Sequence, residues 1–179
     1  IPASPQADGS ESPSPQVRPR EAVIAGVPRV TIETPELRGS ISLKGARIDD
    51  LVLTQYRETV DKESANITLF SPSGSAHPYY AEFGWAAAGG VPLPTKDTVW
   101  TADGDQLRPG QPVTLSWDNG AGLIFRLRFE VDEDFMFSVT QSVENQAGGP
   151  VALNGYGRIA RTNLPEGQSF FVLHEGPLG

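Results

Sequence analysis

The 179-residue chain contains no cysteine, and positive charge is scarce: 14 Lys and Arg residues face 22 Asp and Glu residues, giving a net charge of −8. Without cysteine, neither a disulfide nor a thiolate metal site can form. An acidic chain disfavours nucleic acid and anionic membrane surfaces as partners. No stretch approaches the roughly 20 apolar residues that a membrane-spanning helix needs. The length suits one domain.

Recognisable catalytic motifs are also missing. The chain has two histidines, and neither belongs to a His-x-His or His-Glu-x-x-His pattern. His77 lies in a loop rich in Pro, Ser and Gly, and His174 ends an apolar run just before Glu175. A metal site or an acid–base pair would form only if the fold brought these three residues together. We therefore expect no catalytic residue, no metal and no cofactor.

The first 29 residues are rich in Pro, Ser, Ala and Gln. Such a composition buries too little apolar surface to offset the entropy lost on ordering. We expect residues 1–29 to be a flexible linker, with an extended arm lying on the domain as the alternative.

From residue 30 onward, short β-like runs are separated by Gly, Pro, Asn and Asp. About ten strands and no helix are expected, which predicts an all-β antiparallel sandwich over residues 30–179. Lys44-Gly45 and Asn119-Gly120 mark hairpin turns. The alternating stretch 125–131 predicts apolar side chains in the core and Arg126, Arg128 and Glu130 on the opposite face, with partners on the next strand.

Two features are ambiguous. The adjacent Asp49 and Asp50 point to opposite faces of a regular strand, so we expect solvated carboxylates rather than a convergent acid–base pair, unless a bulge intervenes. A group of aromatic residues is compatible with a ligand-binding cleft, but in an all-β fold such residues also fill cores. The cleft candidates are His77, Tyr79, Tyr80, Trp85 and Trp100.

Several segments together resemble the large periplasmic domain of the YidC family of membrane protein insertases, in its alphaproteobacterial form. The segments that carry the resemblance are TPELRGSISLKGARIDDLVLTQYRETVD (34–61), LFSPSGSAHPYYAEFGWAA (69–87), TVWTADGDQLRPGQPVTLSWDNGAGLIF (98–125), FMFSVTQSVEN (135–145), YGRIAR (156–161) and FVLHEGPLG (171–179). Their order and spacing match the family from about residue 30 to the end.

The resemblance implies a β-supersandwich, similar in shape to galactose mutarotase-like carbohydrate-binding folds. It also implies a non-catalytic, accessory domain in the periplasm, attached to an inner-membrane insertase. The partners it implies are accessory subunits of the Sec translocon and nascent membrane proteins. The alternative is a mutarotase-like domain that binds or epimerises sugars, for which His77, His174 and Glu175 are the candidates; a shared fold alone does not establish that activity.

In family members the domain continues with more strands and a closing helix, so we expect the domain to be incomplete at Gly179. An incomplete sandwich exposes sheet edges and apolar faces. The sequence therefore predicts self-association through these edges, with strand exchange as one route.

Overall fold

The computed structural model describes residues 17–162, which form one short helix and eleven strands. The helix α1 comprises Arg20–Ala25. The strands are β1 (Arg29–Glu33), β2 (Leu37–Ser42), β3 (Arg47–Arg57), β4 (Asn66–Phe70), β5 (Tyr79–Ala87), β6 (Thr101–Ala102), β7 (Gln106–Leu107), β8 (Val113–Asp118), β9 (Leu123–Val131), β10 (Phe137–Asn145) and β11 (Leu153–Arg161). Within these residues, no helix has the length and apolar character needed to cross a bilayer.

The strands form two sheets. The seven-stranded sheet has the order β11-β5-β3-β2-β1-β7, with β4 paired to β3, and the four-stranded sheet has the order β10-β9-β8-β6. All strand pairs are antiparallel except β1 with β7. The predicted antiparallel sandwich is confirmed.

Glycine makes both predicted hairpins possible. Gly45 lies between β2 and β3 with φ of 78°, and an added Cβ would lie 2.7 Å from the carbonyl oxygen of Lys96. Gly120 lies between β8 and β9 with φ of 69°. There, the Asn119 side-chain oxygen accepts hydrogen bonds from the backbone N–H groups of Ala121 and Leu123 at 2.8 and 3.0 Å. Positive φ favours glycine at both turns.

The core forms where the two sheets face each other. Strand β9 alternates as predicted, and its inward side chains Phe125, Leu127, Phe129 and Val131 are buried. Phe125 and Phe129 meet aromatic rings of β5, in the other sheet, edge to face at centroid distances of 5.0 and 5.8 Å. On the outward side, Arg126 pairs with Glu144 of β10 at 2.7 Å, which confirms the predicted cross-strand partner for this residue, whereas Arg128 pairs with Glu130 of its own strand at 2.9 Å.

The N-terminal segment, residues 17–28, differs from the expectation. It contains α1, although the sequence predicted no helix, and it lies against the sheet rather than apart from it. The Arg18 N–H donates to the Gly74 carbonyl at 3.0 Å, and the Leu43 N–H donates to the Pro28 carbonyl at 2.9 Å. The described part of the predicted linker therefore contacts the domain, and the linker boundary at residue 29 stays a prediction. Residues 1–16 lie outside the described part of the chain.

Strands β10 and β11 are edge strands of their sheets within the described residues. One hydrogen bond joins β10 to the other sheet, because the Gln141 amide of β10 donates to the Gly84 carbonyl of β5 at 3.0 Å. On β11, Tyr156 and Ile159 are exposed. Self-association through these edges stays a prediction.

We expect Val113→Ala, in β8, to destabilise the chain by about 2–3 kcal/mol, because it removes buried methyl groups and leaves a cavity. Val113 is 1% exposed, whereas Val60 is fully exposed. The matched substitution Val60→Ala should change stability by less than about 0.5 kcal/mol. Urea unfolding of the two variants checks this expectation, and equal effects would contradict the assignment of the core.

Candidate functional site

The residues predicted to line one aromatic cleft lie in different places. The two tryptophans are in the core, and the two tyrosines are on opposite faces of β5. Trp85 and Trp100 are only 7% and 3% exposed, and their rings stack at 6.3 Å. Phe125 from the opposite sheet packs edge-on against Trp85 at 5.0 Å. Both tryptophans are part of the hydrophobic core, because the side of β5 that carries Trp85 faces the second sheet.

The two tyrosines at the start of β5 have separate surroundings. The Tyr79 ring contacts Phe70 edge-on at 5.0 Å and lies 5.0 Å from the Arg161 guanidinium. The Tyr80 ring lies 4.7 Å from the Arg47 guanidinium. Both contacts are within the range of cation–π attraction. Since consecutive strand residues face opposite sides, Tyr79 and Tyr80 do not form one surface.

His77 and Tyr79 do line a common open pocket of about 490 Å³, which we call the His77 pocket. Its size is in the range of sites that hold small ligands or short segments of chain. Leu69 and Pro78 contribute apolar surface. The charged side chains that line it are Arg18, Arg20, Arg161 and Glu58. Of the five predicted cleft residues, the structure therefore brings together two, His77 and Tyr79.

Asp49 and Asp50 are not solvated, contrary to the expectation. The register of β2 and β3 shifts by one residue, with Ser40 opposite Asp50 and Ile41 opposite Ile48, so that Asp49 occupies a bulge. Asp49 is only 6% exposed. A bulge changes the direction of side chains that would alternate in a regular strand.

The bulge allows both carboxylates to join one buried network, which we call the Asp49–Asp50 network. Arg29 pairs with Asp49, and Arg20 pairs with Asp50. Ser40 connects the two pairs: its hydroxyl donates to Asp50 Oδ2 at 2.6 Å and accepts from Arg29 Nε at 2.6 Å. The network therefore joins α1, β1, β2 and β3.

Burial raises the pKa of the Asp49 carboxyl above its usual value, whereas the charge and hydrogen bond of Arg29 lower it. Desolvation disfavours the charged carboxylate, and the arginine is the group that offsets this cost. Arg29 therefore offsets part of the cost of ionising Asp49 inside the fold.

A second ionic cluster lies further along the same sheet. Glu82 of β5 accepts from Arg47 Nη2 at 2.7 Å and from Arg158 Nε at 2.6 Å. These contacts connect β3, β5 and β11. Within residues 17–162, no group of three or more His, Asp or Glu side chains is arranged to hold a metal. His174 and Glu175 lie outside the described residues, and so does the meeting with His77 that the mutarotase-like alternative requires.

Comparison with known protein families identifies the family of the chain. The family model described as the YidC periplasmic domain matches residues 29–179. The chain belongs to the family of YidC periplasmic domains. The periplasmic location expected from the sequence is therefore confirmed.

Curated relatives agree with this family. The chain is 50% identical over 98% of its length to a membrane protein insertase YidC of Methylobacterium radiotolerans. It is 55% identical over 89% of its length to that of Methylobacterium nodulans, and 48% identical over 98% to that of Bradyrhizobium diazoefficiens. The chain spans only 30%, 26% and 30% of these relatives, respectively.

Sequence reasoning missed the arginines and the serine of the Asp49–Asp50 network. Arg20 and Arg29 are 30 and 20 residues from their carboxylate partners. The one available signal was the Asp-Asp pair at the start of an otherwise apolar strand, which is unusual where the strand is buried. Nothing in the spacing indicated that cations from the N-terminal segment would cover it.

We expect Arg29→Met to destabilise this YidC domain by about 3–5 kcal/mol near pH 7.5, because it leaves a buried carboxylate unpaired. Without Arg29, the pKa of Asp49 rises further above its unfolded value of about 3.8. A raised pKa in the folded state means that stability is lost as the pH rises through that pKa. The destabilisation should therefore be smaller at pH 4.5 than at pH 7.5.

Urea unfolding at both pH values measures this effect. Arg126→Met is the matched control, because Arg126 is paired with Glu144 but its side chain is 38% exposed. Its loss should cost less than about 1 kcal/mol. A loss for Arg29→Met that equals the control, or that grows toward acid pH, would contradict the assigned role of Arg29.

Proposed function

We propose that this chain is an accessory, non-catalytic domain of a membrane protein insertase, and that it contacts polypeptide in the periplasm. The contacts proposed are with membrane proteins that emerge during insertion and with accessory subunits of the Sec translocon. The observation that carries the proposal is family membership, since the curated relatives bear the name membrane protein insertase. The proposal assigns no chemical step to the chain.

The His77 pocket is the surface that we assign to this contact. Apolar surface from Leu69 and Tyr79 lies beside the side chains of Arg18 and Arg161. An amphipathic segment of chain has matching chemistry, with apolar side chains for the pocket and carboxylates for the arginines.

Strand β4 adds a second means of binding. Leu69 and Thr68 of β4 line the pocket, and β3 is the only strand with which β4 forms a ladder in the described part of the chain. An unpaired strand edge offers main-chain N–H and C=O groups to an extended segment. The pocket and the β4 edge together favour an extended polypeptide over a compact ligand.

Photo-crosslinking in the insertase tests this assignment. A photoreactive phenylalanine analogue replaces His77, and in a separate variant it replaces Asp134, another exposed residue, in the turn between β9 and β10. We expect adducts to emerging membrane proteins or Sec subunits from position 77 and few from position 134. Equal adducts from both positions, or none from position 77, would contradict the proposal.

A further inference from the structure

A second pocket, of about 350 Å³, lies between the N-terminal segment and the seven-stranded sheet. Val23 and Val27 contribute to its wall on the side of the N-terminal segment. Five cationic side chains line it: Arg18, Arg29, Lys44, Arg47 and Lys96. We call it the basic pocket. Only two carboxylates, Asp49 and Asp97, share the lining, so its charge is opposite in sign to the net charge of −8 for the chain.

The ion pairs around the basic pocket do not neutralise it. Lys44 and Lys96 share the single carboxylate of Asp97, at 3.0 and 2.6 Å. Arg47 pairs with Glu82, which also binds Arg158 outside this lining. Among the described residues, no carboxylate lies within ion-pair distance of Arg18. A concave site with excess positive charge concentrates anions, and its low-dielectric walls strengthen the attraction.

Arg29 supplies an independent observation. Its side chain is only 9% exposed, and its Nη2 and Nε groups bind Asp49 and Ser40. Its Nη1 group is buried and has no hydrogen-bond partner in the described part of the chain. A buried guanidinium donor without an acceptor is costly, so Arg29 keeps an unsatisfied, positively charged donor group beside the basic pocket.

We infer that the basic pocket is a binding site for a phosphate oxyanion carried by a small soluble molecule, either inorganic phosphate or a phosphate monoester. Guanidinium and ammonium groups together suit an anion with several acceptor oxygens and more than one negative charge. The acidic chain as a whole repels an anionic membrane surface, so a soluble ligand is favoured over a lipid headgroup. This site shares Arg18 with the His77 pocket, but its other lining residues are different, and it does not depend on the proposed contact with polypeptide.

Titration of the 179-residue chain with inorganic phosphate and with glycerol phosphate tests the inference. Ionic strength is held constant with chloride, and amide chemical shifts are followed by NMR. We expect saturable binding with a Kd on the order of 1 mM or tighter, with shifts concentrated at Val27, Ser42 and Ser73, which line the pocket. Shifts spread over the whole surface, or no saturation below about 10 mM, would overturn the inference.

Variants locate the site. Arg18→Gln and Lys96→Gln should each weaken phosphate binding about tenfold, the effect of losing one charge-assisted hydrogen bond. Arg108→Gln removes an exposed arginine outside the pocket and should leave binding unchanged. Lys96 does not line the His77 pocket, so its variant tests the basic pocket alone. Equal binding by all three variants would overturn the assignment.

Vesicles distinguish the source of the phosphate group. Phosphatidylglycerol vesicles are compared with phosphatidylcholine vesicles in sedimentation. We expect no binding to either. Binding to phosphatidylglycerol that is lost in Lys96→Gln, together with no response to soluble phosphate, would overturn the proposed soluble ligand.

Discussion

Asp49 and Asp50 are held inside the fold by two arginines, Arg29 at the start of β1 and Arg20 in α1. A buried carboxylate must be paired, because its desolvation is otherwise too costly. This requirement ties the N-terminal segment to the sheet. Ser40 couples the two pairs, so the segment is held by one connected network rather than by independent surface contacts.

Both pockets follow from that attachment. The N-terminal segment supplies Arg18 to each of them, Arg20 to the His77 pocket, and Val23 and Val27 to the basic pocket. If the segment left the sheet, one wall of each pocket would be lost. The polar interior of the sheet and the two pockets are thus consequences of the same pairing of charges.

Features set by local pattern were predictable from the sequence. The alternation of β9 fixes which side chains enter the core, and glycine at positions 45 and 120 permits the two hairpin turns. These depend on residues that are neighbours in the chain, where periodicity and turn chemistry are informative. The family resemblance, which several segments carry in the same order, was confirmed by the match to the family model.

Features set by distant contacts were not predictable. A bulge of one residue reorients Asp49, and its partner is 20 residues away. The composition of the N-terminal segment did not predict α1, because this helix has no buried apolar face. None of its residues is buried, and Arg20 holds it to the sheet. Trp85 and Trp100 have the composition of a ligand-binding surface, but their place in the core depends on which face of β5 meets the second sheet.

The attachment of the N-terminal segment by the Asp49–Asp50 network is most directly tested by amide hydrogen exchange in Asp50→Asn. The informative amides are those of Arg18, bonded to Gly74, and of Val23 and Gly26 in the helical turn. Loss of the Arg20–Asp50 pair should speed their exchange at least tenfold, while the amides of β9 keep their protection. Unchanged exchange in the N-terminal segment, or equal acceleration throughout β9, would contradict the account.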